Sequence, residues 1–514
     1  MKIFHFDFNT VFFERAYLEN FILNLKEWGY DTLLWELEDF VRWDNLKYCF
    51  QEDSISKNEM AEILAFAESN GFENIPLLQC LGHCEYVLVR PEYAHLADTP
   101  GSSAPYCPCK QEVPDLLTAL LNEYMEIFAN SKYIHLGCDE VWNLGDNCAE
   151  CQKIIADGGK EKLLAKHINF LNGIVRKNGR KSIIWADMLL IHPQATKLVE
   201  KNIVIADWRY ELRLDRSKLW MWDEKGGRLI EESEITGLMR KNFSKYLYKN
   251  NKINIFYTTD FLLDNGFEVI TAGASASYPD NYILGKTVDH ICNSCSMMHK
   301  SSECLGYLQT SWTVHYFDYE MQIAIEMVQD EHDFSKVMNA YALKHFGIDG
   351  ERFFALLRML EGRVLFSFAG STGHGKGQKE PPANIINIHL KEYAEAGILE
   401  DELEKTCKFY PEYIAALEGL KKLRSEVKSE IELFDRYILA AETLKNRAEF
   451  GILAASLYLN KKHNIDIAKL KDEIQRLAEE YRSVSLKRMT PLHAERAVRV
   501  IFGTLLEYLE SQKV

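Results

Sequence analysis

Short apolar runs alternate with stretches of helical periodicity over the first two thirds of the chain. We predict eight strands, at about 2–8, 32–36, 75–79, 133–137, 182–185, 203–206, 268–272 and 306–312. Helices are predicted between them, among others at about 15–28, 57–70, 113–129, 160–178, 257–265 and 284–300. This alternation favours a parallel sheet closed into a (β/α)8 TIM barrel over residues 1–335. A doubly wound open sheet is the alternative, but no glycine-rich dinucleotide fingerprint follows the first strand.

The pattern changes beyond residue 335, where only helical periodicity remains. We predict a mostly α-helical C-terminal domain over 336–514, with helices at about 335–346, 351–367, 411–460, 464–482 and 491–511. Two segments interrupt the pattern. Residues 211–250 are too long for an ordinary loop and indicate an insertion. Residues 369–382 are rich in glycine but lack the Gly-Lys-Ser/Thr ending of a phosphate-binding loop.

Composition narrows the class of protein. The chain has 514 residues, 47% of them hydrophobic, and a formal net charge of −16. This charge argues against partners such as nucleic acid or anionic membrane. The first residues do not have the layout of a signal peptide, and no apolar run is long enough to span a membrane. Twelve cysteines without a secretion signal are typical of reduced thiols, so we expect a cytoplasmic protein.

The carboxyl ends of the predicted strands carry acids and aromatic residues. The fourth strand ends in Gly137 and Cys138, followed by the pair Asp139-Glu140. Taken alone, such a pair is more often a helix cap beside a solvated glutamate than a reactive pair. Trp185, Trp208 and Trp312 follow other strands, and aromatic faces pack on the C–H faces of sugars, which favours a sugar pocket. Further candidates for substrate binding at these ends are His83, Asp187, Tyr210 and Tyr316.

Several stretches resemble one enzyme family. The run Ile134-His135-Leu136-Gly137-Cys138-Asp139-Glu140-Val141 is similar to the signature of the family 20 glycoside hydrolases, the β-N-acetylhexosaminidases. Segments 76–88, 184–189 and 207–210 resemble the third, fifth and sixth strand ends of its short branch, which includes hexosaminidase D. The resemblance covers about residues 1–335 and not the helical C-terminal third.

The resemblance implies substrate-assisted catalysis, in which the 2-acetamido oxygen of the sugar attacks the anomeric carbon. Glu140 would serve as acid and then base, and Asp139 would hold the acetamido N–H and stabilise the intermediate. Its charge would also help to raise the pKa of Glu140. The three tryptophans would form the acetamide cage and sugar platform, and His83 would support the acid pair. The implied partner is a glycan or glycoconjugate with a terminal N-acetylhexosamine, and catalysis would need no cofactor.

The sequence also departs from the wider family. No arginine stands at the end of the first strand, and Trp312 is followed by Thr313-Val314 where the family has Trp-x-Glu. The seventh strand lacks the tyrosine that binds the acetamide, which leaves Tyr210, Tyr278 and Tyr316 as substitutes. The choice between GalNAc and GlcNAc therefore stays open, although the short branch favours galactosaminides.

Four cysteines suggest a metal site. Cys107 and Cys109 lie in the loop after the third strand, and Cys148 and Cys151 lie in the loop after the fourth. Adjacent strands bring such loops together, and four thiolates can hold a structural zinc ion. The alternative is four unrelated free thiols. Cys292 and Cys295 lie on a predicted helix and are expected to pack.

Two other functional classes remain possible at this stage. A non-catalytic carbohydrate-binding barrel would share the aromatic residues but would not need the acid pair. A metal-dependent hydrolase would need a histidine-rich set at the strand ends, and His83 and His135 are too few. The C-terminal helices could cover the barrel or pair two chains as a homodimer.

Overall fold

Eight parallel strands close into a barrel in the computed structural model, which describes residues 1–9, 11–99, 105–210, 218–223, 226–276, 287–312, 334–360, 365 and 384–512. Each strand pairs with its neighbours in sequence, and the eighth pairs with the first, so the predicted TIM barrel is confirmed. The barrel strands are β1 Lys2–Asp7, β2 Thr32–Glu36, β3 Glu73–Leu77, β4 Tyr133–His135, β5 Lys181–Trp185, β6 Val204–Trp208, β7 Glu268–Ala276 and β8 Gly306–Ser311.

Helices alternate with these strands and then continue alone. A capping box between Ser56 and Glu59 fixes the start of the second helix, and Gly71, at φ +79°, follows its end. The helices around the barrel are Arg15–Glu27, Lys57–Ser69, Glu85–Leu88, Glu112–Ile127, Ala149–Lys177, Asp187–Ile191, Gly237–Phe243, Tyr257–Asp264 and Thr287–Ser301. Those that follow are Phe334–Phe346, Gly350–Arg358, Ile385–Glu395, Leu399–Leu423, Ile431–Tyr458, Ile467–Ser485, Pro491–Val498 and Thr504–Ser511, with a π-helical turn at Arg499–Gly503.

Inward-facing side chains fill the barrel, because successive residues of a strand point to opposite faces. Ile3, Leu34, Ile75, Ile183 and Leu308 belong to this inner cluster. The residues on the other face pack against the surrounding helices in a second, larger cluster. The inner cluster thus supports the barrel mouth from below.

The structure differs from the predicted elements in several details. The helix predicted at 160–178 is the second part of the span Ala149–Lys177, and the first part, which ends at the non-helical Gly158 and Gly159, was not predicted. The stretch 411–460 is two helices, Leu399–Leu423 and Ile431–Tyr458. The insertion contains an unpredicted hairpin of Leu219–Asp223 with Gly226–Ile230. The helix predicted at 351–367 is shorter, Gly350–Arg358. Residues 369–382 lie outside the described part of the chain.

The C-terminal helices share a hydrophobic core with the barrel. The backbone N–H of Thr490 donates to the carbonyl oxygen of Phe12 at 2.9 Å, and that of Glu14 donates to Arg488 at 2.9 Å. His493 is buried between the ring of Phe12 and the carboxylate of Asp53. These contacts join the C-terminal helices to the barrel across the predicted boundary at 335. No helix in the described ranges is long and apolar enough to cross a membrane.

Candidate active site

The loop after β4 presents the acid pair in an uncommon backbone conformation. Gly137 has φ +63°, Cys138 has φ +71° and Glu140 has φ +51°. Non-glycine residues in this left-handed region each cost about 1–3 kcal/mol and persist only where the surroundings hold them. The loop must therefore be anchored by its neighbours.

Two neighbouring strands supply these anchors. The backbone N–H of Glu140 donates to Asp187 Oδ2 at 2.8 Å, and the indole N–H of Trp208 donates to Asp187 Oδ1 at 3.3 Å. Burial and the charge of Asp139 raise the pKa of Asp187 well above its ordinary value. On the other side, a Cβ at Gly82 would lie 2.1 Å from the carbonyl oxygen of Asp139, so only glycine fits there. Asp187 is thus a positioning residue for the pair.

His83 lies against both carboxylates. Its Nε2 is 3.4 Å from Asp139 Oδ2 and 3.3 Å from Glu140 Oε2. Burial disfavours the charged ring, but the two acids outweigh this and hold the pKa of His83 well above its ordinary value. His83 itself has φ +52°. A positive charge at this position partly neutralises the pair.

The two acids have different surroundings. The Asp139 side chain is 8% exposed, whereas that of Glu140 is 39% exposed. Burial raises the pKa of Asp139, and His83 opposes this rise. Asp139 Oδ1 is buried and has no hydrogen-bond partner among the described residues. The pair therefore offers one enclosed acceptor and one solvent-facing acid.

Aromatic rings form the floor and one wall of the mouth. Trp185 is 1% exposed and lies on the inner cluster, with its ring centroid 4.4 Å from that of His135 and 5.8 Å from that of Trp312. The Trp312 indole N–H donates to the Tyr210 hydroxyl at 2.7 Å. The Tyr210 ring lies 5.0 Å from that of Trp208. All three predicted tryptophans thus meet at one site, whereas Tyr316 and Tyr278 lie outside the described residues.

The four predicted metal ligands also come together. The Sγ atoms of Cys107, Cys148 and Cys151 lie within 4.8 Å of one another, and Cys109 interacts with Cys151. We predicted Cys148 and Cys151 in a loop, but Cys148 is the N-cap residue of the helix Ala149–Lys177 and Cys151 lies in its first turn.

Comparison with known proteins points to a family. The model of the glycosyl hydrolase family 20 catalytic domain matches residues 42–240. Hexosaminidase D of Bos taurus is 29% identical over 198 residues, which are 38% of this chain and 57% of the relative. Hexosaminidase D of Homo sapiens is 28% identical over 222 residues, which are 42% of this chain and 46% of the relative.

The chain resembles the family 20 hexosaminidases. It spans about half the length of these curated relatives. The solved chitobiase of Flavobacterium johnsoniae is 13% identical, with a TM-score of 0.47 over 98% of this chain and 77% of that chain. The barrel assignment stands on the strand pairing and not on this likeness.

The family 20 match contains β3 to β6 and the acid pair, but not β1, β2, β7 or β8. The departures found in the sequence lie at the ends of β1, β7 and β8. The match and the departures therefore divide the barrel mouth into a typical half and an altered half.

A hydrogen-bond network around Glu36 lies in the altered half, and sequence reasoning missed the partners of this acid. Glu36 accepts hydrogen bonds from His5 at 3.0 Å and from the amide of Gln79 at 2.7 Å. Burial opposes ionisation, but the contact with His5 lowers the pKa of Glu36. The His5 ring lies 4.5 Å from that of Trp312, so this network supports the aromatic wall. The sequence feature that could have revealed this network is a histidine at an inward-facing position of β1 beside an acid at the end of β2.

The insertion also contributes to the wall. The ring of Trp222 meets Trp208 edge to face, at a centroid distance of 4.6 Å. The sequence shows a tryptophan-rich insertion, but nothing in the pattern joins it to the sixth strand.

Proposed function

We propose that this chain is a retaining exo-β-N-acetylhexosaminidase that removes terminal β-linked GalNAc or GlcNAc by substrate-assisted catalysis. The observation that carries the proposal is the pair Asp139 and Glu140, adjacent at the barrel mouth but unequally buried, above a tryptophan floor. Two acids in different environments can hold different protonation states at one pH.

Glu140 is the acid and base in this mechanism. Its side chain is the more exposed of the pair, as a group must be that reaches the glycosidic oxygen and later a water molecule. It protonates the leaving oxygen, and it then removes a proton from the attacking water. The bond from its backbone to Asp187 keeps the carboxyl in one place through both steps.

Asp139 guides the nucleophile of the substrate itself. Its enclosed Oδ1 accepts the acetamido N–H, which turns the acetamido oxygen toward the anomeric carbon. Its charge then stabilises the oxazolinium-like intermediate. His83 opposes the rise in its pKa and so helps to keep Asp139 ionised. The rings of Trp185, Trp208 and Trp312 enclose the acetamide and the sugar face.

The test is release of an aryl alcohol from the N-acetyl-β-galactosaminide and the N-acetyl-β-glucosaminide. Glu140→Gln should lower kcat by about 10²–10⁴-fold for a poor leaving group and much less for dinitrophenolate, which needs little protonation. Asp139→Asn should lower kcat for both leaving groups alike. Glu126→Gln, on an exposed helix position, is the matched control. We expect the galactosaminide to be the better substrate.

The acetamido nucleophile has a separate test. Replacing the N-acetyl group by N-trifluoroacetyl makes its oxygen a weaker nucleophile, so kcat/KM should fall steeply in wild-type protein. An unchanged rate would contradict the mechanism. Sugar binding without turnover of either substrate would instead favour the non-catalytic barrel.

A further inference from the structure

Two pairs of cysteines from different parts of the chain meet beside the acid-pair loop. Cys107 and Cys109 lie between β3 and β4, and Cys148 and Cys151 flank the start of the helix Ala149–Lys177. All four are free thiols. Three of the sulfur atoms lie within 4.8 Å of one another, and the fourth, on Cys109, interacts with Cys151.

The spacing of the sulfur atoms fits a tetrahedral ion. Zinc–sulfur bonds of about 2.3 Å at tetrahedral angles place neighbouring sulfur atoms about 3.8 Å apart. The Sγ atoms of Cys107 and Cys151 are 3.7 Å apart. Thiols are weak hydrogen-bonding groups, so four of them gain little by meeting without a metal. We propose that Cys107, Cys109, Cys148 and Cys151 bind one structural zinc ion as thiolates.

The site joins the two loops that carry the candidate catalytic residues. The backbone N–H of Tyr106, next to Cys107, donates to the carbonyl oxygen of Leu81 at 2.9 Å, two residues before His83. A Cβ at Gly145, in the loop that follows the acid pair, would lie 3.0 Å from the Cβ of Cys151. Four thiolates leave no open coordination position, so the ion holds the loops and takes no part in the reaction.

Metal analysis of the full chain, purified without chelators, tests the site. We expect about one zinc per chain. In Cys107→Ser and Cys151→Ser the content should fall to below about a tenth of this value, because a tetrahedral site rarely tolerates the loss of a thiolate. The control Cys407→Ser, at the exposed cysteine, should keep its zinc. Zinc retained in Cys151→Ser would overturn the proposal.

Cobalt substitution of the wild-type chain covers the case in which the serine variants do not fold. Tetrahedral thiolate ligation should give strong visible bands and a sulfur-to-cobalt charge-transfer band in the near ultraviolet. Weak bands of the octahedral type, or folded wild-type protein that takes up neither metal, would overturn the proposal. Both measurements are independent of sugar turnover, so their outcome does not depend on whether the proposed hexosaminidase activity is correct.

Discussion

Replacing Asp187 by asparagine tests how the acid pair is held. The Asp187 carboxyl is fully buried and accepts two N–H groups, from Glu140 at 2.8 Å and from Trp208 at 3.3 Å. Asparagine has the same shape but only one oxygen, so its amide group must face one of the two donors. Because the pKa of Asp187 is raised well above its ordinary value, asparagine also imitates the neutral acid, and the substitution tests hydrogen bonding more than charge.

The expected magnitude follows from the two bonds. The asparagine oxygen should keep the shorter bond to Glu140, and the Trp208 indole should lose its partner. A buried donor left without a partner costs about 1–3 kcal/mol of folding stability, and the longer bond places this variant near the lower limit. The same energy, if it acts on the transition state, corresponds to about a 5-fold loss in kcat/KM. Asp187→Ala loses both bonds and frees the strained backbone of Glu140, so we expect about 3 kcal/mol, or a 100-fold loss.

The assay is kcat/KM on the aryl N-acetylhexosaminide together with urea unfolding of each variant. Asp157→Asn is the control, because that side chain is exposed and forms a surface ion pair with Lys162. Trp208→Phe removes the orphaned donor, so the double variant with Asp187→Asn should lose less stability than the sum of the single changes. Wild-type kcat/KM and stability in both Asp187→Asn and Asp187→Ala would refute the positioning role.

Three further predictions concern stability. Gly137→Ala should lower the free energy of unfolding by about 2 kcal/mol more than the control Gly179→Ala. Both glycines have left-handed backbone angles, but only the new Cβ at Gly137 would collide with a side chain, at 1.9 Å from Gln79 Oε1. Equal losses in urea titrations would contradict this prediction. Because the pKa of His83 is raised, its stabilising contribution is complete below pH 6.5 and is lost as the pH rises through the raised pKa. The urea midpoint should therefore fall as the pH rises in the wild type, and it should fall less in His83→Gln. Parallel pH profiles of the two proteins would refute this prediction. His493→Ala should lower the free energy of unfolding by about 2 kcal/mol in a single urea transition. A separate transition of the C-terminal helices with an unchanged barrel would speak against a shared core.

Much of the fold followed from the sequence because its signals are local. The strand predicted at 32–36 has the same bounds as β2, because an apolar run bordered by polar residues indicates a buried strand of that length. The acid pair and the three tryptophans were found because parallel strands end at one rim. The predicted helix at 160–178 is present, but the shorter helix before Gly158 was missed because the two glycines separate it from the longer periodic stretch.

Other features depend on contacts between distant residues. Gln79 and His5 are single polar residues in apolar runs, and only the closed barrel shows that both reach Glu36. Trp222 reaches Trp208 through a hairpin whose pairing the pattern does not specify. The left-handed backbone at Cys138 and Glu140 could not be predicted from residue type, because glycine is the residue that usually adopts this conformation.

The contacts between the two ends of the chain also govern how it can fold during synthesis. His493 and Asp53 are 440 positions apart, and the carbonyl oxygen of Phe12 accepts from the backbone N–H of Thr490. The segment after the first strand therefore leaves the ribosome long before its partners exist. While synthesis proceeds at about 5–20 residues per second, that segment waits for tens of seconds with its apolar side chains uncovered. A ribosome-bound chain that ends before residue 488 should consequently recruit chaperones at its N-terminal region, and release of the full chain should end that dependence.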